Sequence, residues 1–201
     1  MSLARAAAAA LAALALLGLG ACDKLFSGAK GTFNAIDVTG GGMGGELRLT
    51  DHNGKPRSLE DFRGKVVVVV FGFTHCPDVC PTMLADLAAA VKQMGDAGSR
   101  VQVLFVTVDP QRDKPELLRE YVPAFNPSFL GLTGDDAALA KVRKDFNVYA
   151  SVREGRTPET YSVDHSAQMF VFDGGGRIRL VVPPGLAPQA LASDLRILLN
   201  S

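Results

Sequence analysis

Lys65-Val66-Val67-Val68-Val69-Val70-Phe71-Gly72-Phe73-Thr74-His75-Cys76-Pro77-Asp78-Val79-Cys80-Pro81 holds a strand, a loop and a helix start in one unbroken run. Five consecutive valines leave no polar face, which is the mark of a strand covered on both sides of a sheet. Pro81 suits the first position of a helix, and the pattern that follows it stays helical to about Met94. Cys76 and Cys80 therefore lie on a loop between the carboxyl end of a buried strand and a helix N-terminus. The positive end of the helix dipole favours thiolates there, which predicts a pair of low-pKa thiols. Two such thiols about one turn apart suit two chemistries: exchange of electrons as a disulfide, or capture of a soft metal.

Working outward, Val101 to Val108 reads as a second buried strand, ended by Asp109-Pro110. Glu46 to Thr50 and Lys55 to Ser58 flank Asn53-Gly54 and read as a hairpin with a two-residue turn. Lys114 to Tyr121 and Asp135 to Phe146 read as helices. Ala167 to Phe172 and Arg177 to Val182 flank Asp173-Gly174-Gly175-Gly176 as a second hairpin, and Leu186 to Leu199 closes the chain as an amphipathic helix. Strands alternating with helices, then a terminal hairpin and helix, define an α/β domain with a mixed sheet. Residues 46–201 suffice for one such domain with a substantial core.

The chain has as many acidic as basic residues and a pI of about 6.8, which excludes the basic footprint of a nucleic-acid binder. Met1 to Gly20 carries Arg5 and then an apolar Ala/Leu run of about 15 residues, short for a membrane span and suited to an export signal. Leu19-Gly20-Ala21-Cys22 resembles the lipobox of bacterial lipoproteins. That resemblance implies removal of residues 1–21 and lipidation of Cys22. It places the domain in the bacterial cell envelope, on the extracytoplasmic side of the membrane. Asp23 resembles the residue that retains some lipoproteins at the inner membrane. Residues 22–45 then form a Gly-rich tether, and its 23 residues after Cys22 would average about 25 Å end to end as flexible coil. Nothing argues for an oligomer.

With Cys22 lipidated, Cys76 and Cys80 have only each other. In an oxidising compartment such a pair oxidises unless something keeps it reduced or occupied. If Lys65–Phe71 and Val101–Val108 run parallel, Cys76 and Asp109 share the carboxyl edge of the sheet, where sites on open α/β folds collect. An antiparallel Ala167–Phe172 would start at that edge and bring His165 to the cysteine loop. A lone histidine is more often a core or turn residue than a ligand; the sheet edge is what sets this one apart.

Ser58-Leu59-Glu60-Asp61-Phe62-Arg63-Gly64-Lys65, the loop from Phe71 to Pro81, Val108-Asp109-Pro110-Gln111-Arg112-Asp113 and Tyr161-Ser162-Val163-Asp164-His165-Ser166 together resemble the Sco/SenC family. The resemblance covers nearly all of residues 46–201 and implies a thioredoxin-like fold with an added N-terminal β-hairpin. It implies a membrane-tethered copper protein that assists assembly of cytochrome c oxidase, with subunit II and a copper-donating protein as partners. It maps the copper ligands onto Cys76, Cys80 and His165. Two soft sulfurs select Cu(I) and an imidazole also accommodates Cu(II), so the donor set agrees. The alternative is a thiol–disulfide reductase that keeps the oxidase cysteines reduced through a Cys76–Cys80 disulfide. A peroxidase, suggested by Thr74 two residues before Cys76, ranks last because it leaves Cys80 and His165 unexplained.

Other candidates carry less. His75 adjoins Cys76, and neighbours in sequence rarely reach one ion together, so its expected role is to stabilise the thiolate. His52 is expected in the hairpin turn, solvated. Met83 and Met169 are expected to fill the core. Asp78 is expected exposed, tuning the thiols or touching a partner. Asp109 either caps the segment after Pro110, supports the ligands from behind or docks a partner.

Overall fold

The computed structural model describes residues 32–42, 44–155 and 160–201, with Phe33–Ser201 forming one compact unit. The signal at 1–21 and the lipidation at Cys22 lie outside the described residues. In chain order the strands and helices are β1 (Ile36–Asp37), β2 (Arg48–Asp51), β3 (Pro56–Ser58), β4 (Val66–Gly72), α1 (Val79–Gln93), β5 (Val101–Thr107) and α2 (Pro115–Tyr121). There follow β6 (Leu130–Thr133), α3 (Asp136–Asp145), β7 (Ala150–Arg153), β8 (Ser162–His165), β9 (Met169–Phe172), β10 (Ile178–Val182) and α4 (Pro188–Leu199).

The valine run becomes β4, and every one of its residues is buried. It sits at the middle of an eight-stranded mixed sheet in the order β1-β10-β9-β4-β5-β6-β2-β3. β5 runs parallel to β4, pairing Val66 with Val101 and Gly72 with Thr107, while β9 runs antiparallel on its other side, pairing Val70 with Met169. Strand alternation then divides the apolar residues between two layers. Val66, Val68 and Val70 pack with Leu84 and Leu87 of α1 and Leu191 and Leu195 of α4. Val67, Val69 and Phe71 face the opposite layer with Leu139 and Val142 of α3. There Phe71, Phe146 and Phe170 pack edge to face, with centroids 5.3–6.0 Å apart. Such aromatic pairs contribute about 0.5–1.5 kcal/mol each beyond their area. The α/β, thioredoxin-like mixed sheet with helices on both faces is as expected.

α1 begins two residues earlier than Pro81, at Val79, so Pro81 is its third residue. Its missing N–H falls in the first turn, where no intrahelical acceptor exists anyway. The expected N-terminal hairpin is β2–β3, but its loop has three residues, His52–Gly54, closed by Asp51 N–H donating to the Lys55 carbonyl at 2.9 Å. Gly54 takes the left-handed conformation (φ 81°) that ends such loops. The solvated position expected for His52 is corrected: the residue is 4 % exposed. β2 pairs with β6, which carries the turn onto Gly131, and Gly131 N–H donates to His52 Nδ1 at 3.0 Å.

Residues 33–38, read from sequence as tether, carry specific contacts. Asn34 and Ala35 donate to the buried Asp194 carboxylate of α4 at 2.8–3.1 Å. β1 then pairs with β10. Because β1, β10, β9 and β4 alternate in direction, the chain enters β1 from the edge at which β4 ends.

Candidate metal centre

At the carboxyl edge of β4 the chain turns at Phe73–Cys76, where Cys76 N–H donates to the Phe73 carbonyl at 3.2 Å. Helix α1 then starts, placing Cys80 in its first turn and directed inward. Cys80 is fully buried and Cys76 half-buried, and both are free thiols. Cys80 N–H points at Cys76 Sγ from 3.4 Å. Gly72 makes room for this approach: a Cβ there would stand 2.8 Å from Cys80 Sγ and 2.7 Å from the Phe105 ring.

His165 arrives from the other side as expected, but by a route the sequence concealed. It ends β8, which pairs with β7 as a separate two-stranded sheet, Ala150 opposite His165. Its Nε2 lies 3.5 Å from Cys80 Sγ. Its Nδ1 lies 2.8 Å from the Ser166 carbonyl oxygen, which can only accept, so Nδ1 carries the proton and Nε2 presents its lone pair to the thiols. The Phe73 ring packs edge-on to the imidazole, centroids 5.8 Å apart. The two Sγ atoms and a ring nitrogen of His165 all lie within 4.8 Å of one another. Among the described residues no other cluster of metal-binding side chains forms.

The low thiol pKa expected from the helix dipole does not hold for Cys80. Burial pushes that thiol well above its ordinary value, with the neighbouring Cys76 adding to the effect against a backbone hydrogen bond from Phe73. A buried thiol holds its proton until something replaces it, and a soft cation is the natural replacement.

Asp109 is buried, which ends its reading as a docking carboxylate. It accepts from Arg112 Nε at 2.5 Å and from the Tyr161 hydroxyl at 2.7 Å. Arg112 also donates to the Tyr161 carbonyl at 2.9 Å and stacks over the Tyr161 ring at 3.6 Å. This cluster clasps the segment leading to His165 against the loop after β5. Asp78 and His75 are exposed, and Met83 and Met169 are core residues. Asp113 was not singled out from sequence. It is wholly buried and accepts from Thr74 N–H at 3.1 Å, Thr74 Oγ1 at 2.6 Å and Thr107 Oγ1 at 2.7 Å. Burial raises its pKa, while the bonds from Thr74 and Thr107 oppose the rise. Thr74 spends its hydroxyl proton on Asp113, which leaves it no donor for a peroxide at Cys76.

Fold and site together define a thioredoxin-like domain whose two-cysteine loop is converted into a Cys-Cys-His cluster by a distant histidine. The sequence pattern of SCO1/SenC proteins matches residues 39–200, and the chain belongs to that family. It is 39% identical to mitochondrial Protein SCO2 of Saccharomyces cerevisiae over 137 residues, 67% of this chain and 46% of the yeast protein. Among solved structures, ScoI of Bradyrhizobium japonicum with copper bound is 36% identical, with a TM-score of 0.72, covering 78% of this chain and 99% of that one. Apo Sco1 of Thermus thermophilus is 39% identical at the same TM-score, covering 85% and 98%. The chain spans about half the length of the eukaryotic relatives it matches. No helix among the described residues is long and apolar enough to cross a membrane.

Proposed function

We propose that the chain is a copper metallochaperone, binding copper through Cys76, Cys80 and His165 and delivering it to the dinuclear copper site of cytochrome c oxidase subunit II. The single observation that carries this reading is the convergence of two sulfurs and one imidazole nitrogen within 4.8 Å. Copper bound in related Sco structures supports it. The burial of the ligands suggests an order of exchange. Cys80 is wholly buried and His165 is held from behind, whereas Cys76 is half-exposed. An incoming thiolate therefore displaces Cys76 first; copper keeps its oxidation state and the released sulfur takes up a proton. A lipid on Cys22 would hold the domain at the periplasmic face of the inner membrane, close to its oxidase client and to a copper donor.

A thiol–disulfide reductase acting on the oxidase cysteines is the second reading, favoured by the proximity of two free thiols with no other cysteine among the described residues. His165→Ala separates the two. With the reduced chain in detergent, Cu(I) and Cu(II) titrations are expected to lose tight binding while Cys76–Cys80 disulfide formation survives. Unchanged copper affinity would remove the imidazole from the site. Normal oxidase assembly in cells carrying the variant would transfer the function to the reductase.

A further inference from the structure

The cysteine loop is tied to the rest of the sheet edge by a buried carboxyl group that is neither a copper ligand nor part of the apolar packing. Asp113 lies across the ends of the two central parallel strands. On one side it receives the hydroxyl of Thr107, the last residue of β5; on the other it receives both the N–H and the hydroxyl of Thr74, two residues beyond the end of β4. Its own N–H donates to the Asp109 carbonyl at 2.9 Å, closing the 109–113 turn beneath it. Thr107 Oγ1 in turn accepts from Asp109 N–H at 2.9 Å. The side-chain partners of Asp113 are neutral donors, because the nearby Arg112 guanidinium is given to Asp109 and Tyr161.

A fully buried carboxylate without a cation is costly, and here it is held by hydrogen bonds alone. What it secures is the turn Phe73–Cys76, from which Cys76 Sγ meets the Cys80 N–H. An amide does this less well: with its oxygen kept on Thr74, its NH2 faces Thr107 Oγ1, which must turn from donating to accepting and is left with its own proton unplaced.

We propose that Asp113 is a positioning residue for the metal centre, fixing Cys76 through Thr74 so that its sulfur is presented to copper in the reduced form. The proposal rests on the reading of Cys76, Cys80 and His165 as copper ligands, and deepens it by assigning the geometry of the exchangeable ligand to a residue outside the donor set. The reduced Cys76 sulfur accepts from Cys80 N–H, a contact a disulfide does not require. Loosening the turn therefore weakens copper binding and also moves the dithiol/disulfide balance toward the disulfide.

The test uses the reduced chain in detergent as wild type, Asp113→Asn, Thr74→Val and Thr74→Ser. Two readouts are taken: Cu(I) affinity by competition with a chelator, and the equilibrium in glutathione buffer, in which protein dithiol and oxidised glutathione give protein disulfide and two reduced glutathiones. Loss of a hydrogen bond to a charged acceptor predicts about a tenfold weaker Cu(I) Kd in Thr74→Val and a larger loss in Asp113→Asn. The glutathione equilibrium is expected to shift about tenfold toward disulfide, about 30 mV. Thr74→Ser, which keeps the hydroxyl, is expected to stay within about twofold of wild type in both. Wild-type values in Thr74→Val and folded Asp113→Asn would overturn the proposal, as would a serine variant as impaired as the valine one. If Asp113→Asn does not fold, the two Thr74 variants decide. A wild-type chain that binds no copper defeats the proposed function, and the glutathione arm then still decides the positioning role.

Discussion

Replacing Gly72 with alanine adds one methyl at the most crowded point of the metal centre. The methyl would sit 2.7 Å from the Phe105 ring and 2.8 Å from Cys80 Sγ, roughly 1 Å inside ordinary contact distance. The backbone itself raises no objection, since Gly72 is a regular strand residue paired with Thr107 and its φ is not among the positive values. The cost is therefore steric. Neither neighbour can yield easily: Phe105 is fully buried in β5, and Cys80 is held by the first turn of α1. Overpacking of this kind costs about 1–3 kcal/mol. With a urea slope of about 2 kcal/mol/M, the midpoint of the reduced chain falls by about 0.5–1.5 M. Sulfur is the softer obstacle, so part of the strain goes into moving Cys80 away from His165. Copper affinity is then expected to fall by about tenfold or more, since each 1.4 kcal/mol is a factor of ten. Urea unfolding followed by circular dichroism, with a parallel Cu(I) competition titration, reads both effects. A variant that unfolds at the wild-type midpoint and binds copper normally would show that the loop has slack, and the argument that Gly72 admits Cys80 would be wrong.

Two further outcomes follow from buried polar groups. Burial holds the pKa of His52 below its ordinary value, with Arg119 helping and Asp51 opposing. The unfolded chain thus binds the proton first as pH falls, and the stability His52 contributes is present above about pH 6.5 and lost below it, down to the depressed folded value. His52→Asn offers Gly131 N–H an acceptor without the titration, so the stability difference between wild type and variant should change between pH 7.5 and 5.5 in favour of the variant; a flat difference would refute the assignment. Asp194→Ala strands the Asn34 and Ala35 N–H groups that its carboxylate now receives. The expected loss is about 1–3 kcal/mol, together with faster hydrogen exchange at Val38, whose N–H donates to Arg179 in the strand beside β1. Wild-type exchange at Val38 would mean that β1 docks without that carboxylate.

The parts of the fold that sequence made legible are those where local pattern and burial agree. Five valines can only be a doubly covered strand, and an apolar run ended by Asp109-Pro110 can only stop there. From two parallel strands and one antiparallel neighbour, the meeting of Cys76 and His165 followed by direction alone. What escaped were elements whose partners are remote. β6 is Leu130-Gly131-Leu132-Thr133, too short and too glycine-rich to declare itself, yet its pairing with β2 is what buries His52. β7 and β8 have exposed or half-buried residues on most positions, so no alternation marks the small sheet that delivers His165. Asp194 sits in a helix whose charged residues read as a solvent face, and its partner Asn34 is 160 residues away. Asp113 looked like one more acid in a polar turn. Its burial depends on Thr74 and Thr107 converging from two strands, which no window of sequence contains.

The same three-dimensional convergence explains how a disulfide-exchange loop can become a metal site with little change to the loop itself. Cys76 and Cys80 lie where the chain passes from the carboxyl end of β4 into the first turn of α1. The difference lies in what surrounds them. A small sheet outside the main one brings an imidazole whose proton is fixed on Nδ1 by Ser166, so its free nitrogen can only accept a proton or bind a metal. The Asp109–Arg112–Tyr161 cluster holds that sheet's approach to the loop, and Asp113 holds the loop's approach to the sheet edge. Burial at Cys80 meanwhile disfavours the bare thiolate that rapid disulfide exchange needs, whereas a bound cation would neutralise it in place. The inner sulfur is thus poorly suited to act as an unassisted nucleophile and well suited to stay on a metal, and in the proposed delivery the half-exposed outer sulfur is the one to be exchanged.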